Sequence, residues 1–154
     1  MGLLNTELVN KCLNSKQVIA FLKAVIPPLD IFLLRISKGH VNVAMQCVAL
    51  LETIGAKSGQ KRLLPLLCMP VDKGIALVAS NWGQARHPAW YFNLKAMPEV
   101  NMTFRGYKGP MKIREVEGDE RAALWIKLVE QNPQYARYQQ KVERVLPVIV
   151  LERP

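Results

Sequence analysis

From Val41 onward the chain consists of short apolar runs set between turn residues, and this spacing narrows the fold more than any single motif. Cys47-Val-Ala-Leu-Leu-Glu-Thr53 ends at a glycine-containing turn and Leu63-Leu-Pro-Leu-Leu-Cys-Met69 resumes the run, so the two read as strands of a hairpin. Val71-Asp-Lys-Gly74 makes the next turn and Ile75-Ala-Leu-Val-Ala79 the next strand. Residues 100–105 alternate apolar and polar side chains, and Gly106 and Gly109 turn the chain into a further strand over residues 108–117. Turns this short leave no room for crossover helices, so the pairing is antiparallel and the sheet open or closed into a barrel.

Helices interrupt the sheet in two places. Residues 88–95 read as a short helix closed by Pro98, and residues 120–130 as a longer one, with Asp119 to cap it and Asn132-Pro133 to end it. Residues 135–142 begin another helix, and residues 145–151 return as a last strand. Near the start, residues 18–36 have the length of a membrane span, but Lys23, Asp30, Arg35 and Pro27-Pro28 oppose insertion. Two helical pieces about a Pro-Pro break fit better. The first, residues 15–25, gathers Val18, Ile19, Leu22 and Val25 on one face, which suits packing on the core or lying on an anionic membrane. Met1-Gly-Leu-Leu-Asn-Thr6 also matches the short pattern for N-terminal myristoylation. The chain therefore reads as one domain over residues 1–154, with residues 1–40 a helical extension packed on it or on a membrane.

Half of the 154 residues are hydrophobic, enough for a full core. A formal charge of +9 implies an anionic partner: a phosphorylated cofactor, a nucleic acid or an acidic membrane. Cys12, Cys47 and Cys68 lack metal or disulfide spacing and sit among apolar neighbours, which points to buried thiols in a reducing, cytoplasmic compartment. His40 and His87 are too few and too far apart for a metal site. Arg105, Lys108, Lys112 and Arg114 form a basic stripe, but only Phe104 and Tyr107 accompany it, so no nucleic acid is expected.

Chemistry concentrates in two polar turns. Thr53-Ile-Gly-Ala-Lys-Ser-Gly-Gln-Lys-Arg62 places Lys57, Lys61 and Arg62 around two glycines, the parts needed to hold a phosphate. Val78-Ala-Ser-Asn-Trp-Gly83 is the second, with His87-Pro-Ala-Trp-Tyr-Phe-Asn-Leu94 close behind. His87 reads as a loop residue near a cofactor rather than a catalytic base.

Thr53-x-Gly-x-Lys-Ser-Gly59 with Arg62 and Pro65-Leu66, Val78-Ala-Ser80, and Pro88-x-Trp-Tyr-x-Asn-Leu-x-Ala-x-Pro98 occur in that order. Glu120-Arg-Ala122 with Trp125, Pro133-x-Tyr-x-x-Tyr-Gln139 and Arg144-x-x-Pro-Val148 follow. Over about residues 51–154 this series resembles the deazaflavin-dependent nitroreductase family. The resemblance implies an α+β fold, a split β-barrel of mainly antiparallel strands with peripheral helices. It also implies the 5-deazaflavin coenzyme F-420 as hydride donor to an electron-poor small-molecule acceptor such as a quinone, enone or nitro compound. Lys57, Ser58 and Gly59 then face the coenzyme's phosphate or acidic tail, with Lys61 and Arg62 nearby, and Pro65 and Leu66 border the ring. Ser80, Asn81, Trp82 and Gly83 form a second contact, Trp90, Tyr91 and Asn93 an adjoining wall. Tyr135 orients or protonates the acceptor, with Tyr138 beside it. The family carries a basic residue where Ala56 stands and often Lys-Gly where Asn81-Trp82 stands. Other relatives of this fold bind flavin mononucleotide, haem or fatty acids, which leaves a non-catalytic or differently loaded barrel as the alternative. A homodimer and peripheral membrane contact through the N-terminal helices complete the expected partners.

Overall fold

A computed structural model describes residues 16–43 and 45–154. The myristoylation pattern at residues 1–6 and Cys12 lie outside the described residues, as do the side chains of Val18, Ile19 and Leu22. Seven strands form one sheet: β1 (Val48–Ile54), β2 (Lys61–Leu67), β3 (Met69–Val71), β4 (Gly74–Val78), β5 (Glu99–Phe104), β6 (Tyr107–Val116) and β7 (Val148–Glu152). Their order is β2-β1-β5-β6-β7-β4-β3, and every pairing is antiparallel.

The order explains why the sheet curls. β2 and β3 stand at opposite ends of it, yet only Cys68 separates them in the chain. The two edges must therefore come together, and the sheet bends into a half-barrel. Residues 63–69 read as a single strand from sequence; the chain instead changes edges at Cys68. There the Cys68 N–H donates to the Cys47 carbonyl (2.8 Å), while the Gln131 side-chain amide donates to the Cys68 carbonyl (3.0 Å). Cys68 is buried, and burial pushes its thiol pKa up.

Alternation along the strands makes two cores. Ala49, Leu51, Ile75, Leu77, Met111 and Leu151 pack on the concave side, whereas Ala76, Val78, Val148 and Val150 pack on the other face of β4 and β7. The second core is closed by α3 (Gly118–Gln131) and α4 (Gln134–Gln140), which contribute Leu128 and Tyr135. The short α2 (Ala89–Lys95) packs on β1.

α1 (Lys16–Ile36) corrects the expected Pro-Pro break, because it runs through Pro27 and Pro28 as one helix. Each proline removes an N–H that a helix interior needs, so tertiary contact has to offset the loss. α1 packs on β1, β2 and β5. Its buried face carries Leu34 and Asp30, and the Asp30 carboxylate accepts the Val43 N–H at 2.7 Å. The helix ends at Ile36 and the chain turns away at Gly39, whose φ of 85° is the left-handed conformation that glycine tolerates and whose N–H donates to the Leu34 carbonyl.

Candidate functional site

The register Ile54↔Lys61 leaves residues 55–60 as the tip of the β1–β2 hairpin. The tip is closed by two backbone bonds, Gly55 N–H to the Gln60 carbonyl (2.9 Å) and Gly59 N–H to the Gly55 carbonyl (2.8 Å). Gly59 supplies the positive φ, +66°, that this closure requires. One long-range contact fixes the tip to α2: the buried Asn93 side chain accepts the Ala56 N–H at 3.0 Å. Asn93 is thus a clamp between two elements that are far apart in sequence.

Hairpin and α2 enclose a cavity of about 820 Å³. One edge carries Lys57, Ser58 and Arg62, and the opposite wall carries His87, Trp90 and Phe92. Cations and a hydroxyl on one side, with aromatic faces on the other, suit a planar ring that bears an anionic substituent. The volume lies within the range of small-molecule sites.

Not every expected residue meets here. Lys61 lines a different recess, on the far side of the sheet. Pro65 pairs with Leu50 and Leu66 with Ala49, so Pro65 shares the face of Leu50, away from the concave core. Leu66 packs against that core. Tyr91 sits behind the wall, with its hydroxyl on the Glu115 carboxylate (3.1 and 3.2 Å); burial, then that carboxylate, raises its pKa. Glu115 also takes Lys95 at 2.9 Å.

Residues 80–83 form a second, separate feature. Asn81, Trp82 and Gly83 have φ of 48°, 58° and 73° in succession, and two non-glycine residues in the left-handed region mark a constrained turn. Trp82 is 64% exposed at its apex. Arg144 holds the turn from beneath: its guanidinium donates to the carbonyls of Ala79 (3.3 Å), Ser80 (3.1 Å), Gln84 (3.0 Å) and Arg86 (3.3 Å).

The same guanidinium lies 3.1 Å from His87 Nδ1. An arginine can only donate, so Nδ1 must be the acceptor and the ring is the neutral Nε2–H tautomer. Burial first, then the charge of Arg144, lowers the His87 pKa below its ordinary value of 6.5, with Glu115 acting against them. His87 also stacks on Tyr91 at 4.8 Å. Sequence reading placed His87 near a cofactor but gave Arg144 no role; an arginine followed three residues later by a proline carries no signal of five acceptors gathered by folding.

A depressed histidine pKa means that the unfolded chain binds more protons at this position. Its contribution to stability is full above about pH 6.5 and is lost as pH falls toward the folded pKa. The denaturation midpoint should therefore fall between about pH 7.5 and about pH 5 in the native protein, and fall less in His87→Gln. Equal pH dependence in the two proteins would show that His87 is not the group responsible.

The tyrosines sit at the second core. Tyr135, which the resemblance expects to orient or protonate the acceptor, is 7% exposed and belongs to the core beneath α3 and α4. Burial pushes its pKa up to about 12. The helical spacing that puts Tyr135 and Tyr138 on one face turns that face inward, toward the core that also holds Val78 and Val148. Tyr138 is half-buried against the same core and abuts Gly83, where an added Cβ would lie 3.1 Å from its ring.

A sequence profile described as F420H(2)-dependent quinone reductase matches residues 32–153. The F420H(2)-dependent quinone reductase Rv1261c of Mycobacterium tuberculosis is 36% identical over 107 residues, 68% of this chain and 72% of that protein. Among solved structures, F420-H2 dependent reductase FDR-A is 43% identical over 69% of this chain and 94% of its own, with a TM-score of 0.63. A chain described as a domain-swapped dimer is also 43% identical, over 69% of this chain and 80% of its own, with a TM-score of 0.63.

Proposed function

This chain belongs to the F420H(2)-dependent quinone reductase family, and from that premise we propose that the hairpin–α2 cavity binds reduced F-420 and brings a quinone to it. The observation that carries this reading is the cavity's asymmetry, with Lys57, Ser58 and Arg62 on one edge and Trp90 and Phe92 opposite. The donor set fits the coenzyme: cations and a hydroxyl for its phosphate, aromatic faces for its ring. When bound, the coenzyme supplies a hydride. The chain's own residues bind, orient and exclude water. Arg144 keeps His87 in its Nε2–H form, so His87 is a hydrogen-bond donor on the cavity wall and not a base.

Fluorescence titration tests the binding half of this reading. Reduced F-420 should saturate the protein at lower concentration than reduced flavin mononucleotide, because its acidic tail adds contacts at Lys57 and Arg62. The reverse order would overturn the assignment in favour of a flavin-loaded barrel.

We propose further that the chain is one cytoplasmic domain that pairs as a homodimer. Light scattering at micromolar concentration reads the pairing, and a mass of one chain would oppose it. Among the described residues no helix is long and apolar enough to cross a membrane. The outward stripe of α1 nonetheless carries Phe21 (65% exposed), Phe32 (59%) and Ile36 (64%), on the side away from buried Asp30 and Leu34. With Arg35 and Lys38 beside it, this stripe suits peripheral contact with an anionic bilayer, at about 1 kcal/mol per cation. Phe32→Ser with Ile36→Ser should release the protein from phosphatidylglycerol vesicles in co-sedimentation. Undiminished sedimentation of that variant would assign the stripe to another partner.

A further inference from the structure

On the face of the sheet opposite the concave core, a second recess of about 860 Å³ lies beside the end of α1. Its floor follows from register. Leu50 pairs with Thr103, Thr103 with Lys108, and Glu52 with Leu63, and directly paired residues share a face. Five cations line the recess from three elements: Arg35 and Lys38 from α1 and its end, Lys61 and Arg62 from β2, and Lys108 from β6.

Two observations separate the recess from an ordinary solvated basic face. The first is charge without compensation. Glu52 is its sole carboxylate, and the ion pairs among the described residues involve Lys95 and Arg114 instead. Like charges gathered by tertiary structure repel one another, and an anion between them relieves that repulsion. The second is Thr103, which is 7% exposed and whose hydroxyl bonds to no protein group among the described residues. Its oxygen is not among the buried side-chain atoms that lack a partner, so it opens onto the cavity that Thr103 lines and is free to meet a ligand there.

We propose that the recess is a second anion site, separate from the coenzyme cavity, that takes a phosphate-bearing ligand. Ammonium and guanidinium donors with one hydroxyl match the oxygens of a phosphate, and Leu50 and Leu63 offer an apolar floor to the remainder of the ligand. The recess has the volume of a small-molecule site rather than of a lone ion. Lys61 acts here and not at the coenzyme. Arg62 borders both cavities, so the two sites adjoin at the base of the hairpin.

Calorimetry on the full chain without coenzyme, with inorganic pyrophosphate as the probe, tests the proposal independently of the function assigned above. Binding should weaken at least tenfold in Arg35→Glu/Lys108→Glu and several-fold in Thr103→Val. The affinity for F-420 should stay within about twofold in both, since neither variant touches the coenzyme cavity. A parallel arm compares vesicles of phosphatidylglycerol with vesicles of phosphatidylcholine. Loss of phosphatidylglycerol binding in the double variant, with no pyrophosphate bound by the native protein, assigns the site to a lipid headgroup; pyrophosphate binding without vesicle binding assigns it to a soluble phosphate ester. Lys108→Ala, a milder change on an exposed strand, repeats the test should the charge reversals fail to fold. The proposal is overturned if neither probe binds, if binding is indifferent to these substitutions, or if F-420 affinity falls in step with that of the probe.

Discussion

Arg144→Met should lower stability by about 3 kcal/mol and, with it, the melting temperature by roughly 6–12 °C. The guanidinium donates to four backbone carbonyls and to the His87 ring, and among the described residues only the Arg86 carbonyl takes another side-chain donor, the Asn81 amide at 2.9 Å. Methionine fills much of the same volume but offers no hydrogen, so the carbonyls must find water or the turn must open. Strain at Asn81 and Trp82 favours opening. Arg144→Lys should recover only part of the loss, because an ammonium cannot span the fork that reaches Ala79 and Arg86 together. Loss of the donor at Nδ1 should also let the His87 pKa rise toward its ordinary value, visible by nuclear magnetic resonance titration. Native melting behaviour in Arg144→Met would mean that the turn holds itself.

Lys57→Ala should weaken coenzyme binding by about 1.5–3 kcal/mol, roughly 10-fold to 150-fold, the range for a hydrogen bond to a charged group. Folding should be almost untouched. Lys57 lies at an exposed hairpin tip whose shape depends on backbone bonds and on the Ala56–Asn93 contact, none of which its side chain makes. Arg62→Ala should lose coenzyme affinity as well, and some pyrophosphate affinity, because Arg62 borders both recesses. Melting curves alongside the titrations separate lost contact from lost fold. Unchanged F-420 affinity in Lys57→Ala would reduce the basic tip to a turn.

The strands were legible because their chemistry is local. An apolar run between Gly or Asp-Lys-Gly turns declares itself, and residues 75–79 and 100–105 fall within two residues of β4 and β5. The passage of Cys68 from one sheet edge to the other was not legible, since nothing in Leu67-Cys68-Met69 distinguishes a continuing strand from one that changes partners. Pro27-Pro28 misled for a related reason: local propensity is a weak prior when a helix has a sheet to lie on. At the site, the cations of the hairpin tip were readable as phosphate ligands in kind, but strand alternation sends Lys61 to the far face while Lys57 and Arg62 stay with the cavity. Tyr135 shows the same limit. Its spacing from Tyr138 fixed a shared face, and only the packing of α4 on β4 and β7 says that this face is the inner one.

The central claim is that this cavity couples F-420 to quinone reduction, and anaerobic stopped-flow oxidation of reduced F-420 by a benzoquinone tests it most directly. The native protein should oxidise the coenzyme in a single phase that saturates with quinone, and Lys57→Ala should need at least about tenfold more coenzyme to reach the same rate. Rapid turnover of reduced flavin mononucleotide with none of reduced F-420, or equal rates for the native and Lys57→Ala proteins at subsaturating F-420, would contradict it.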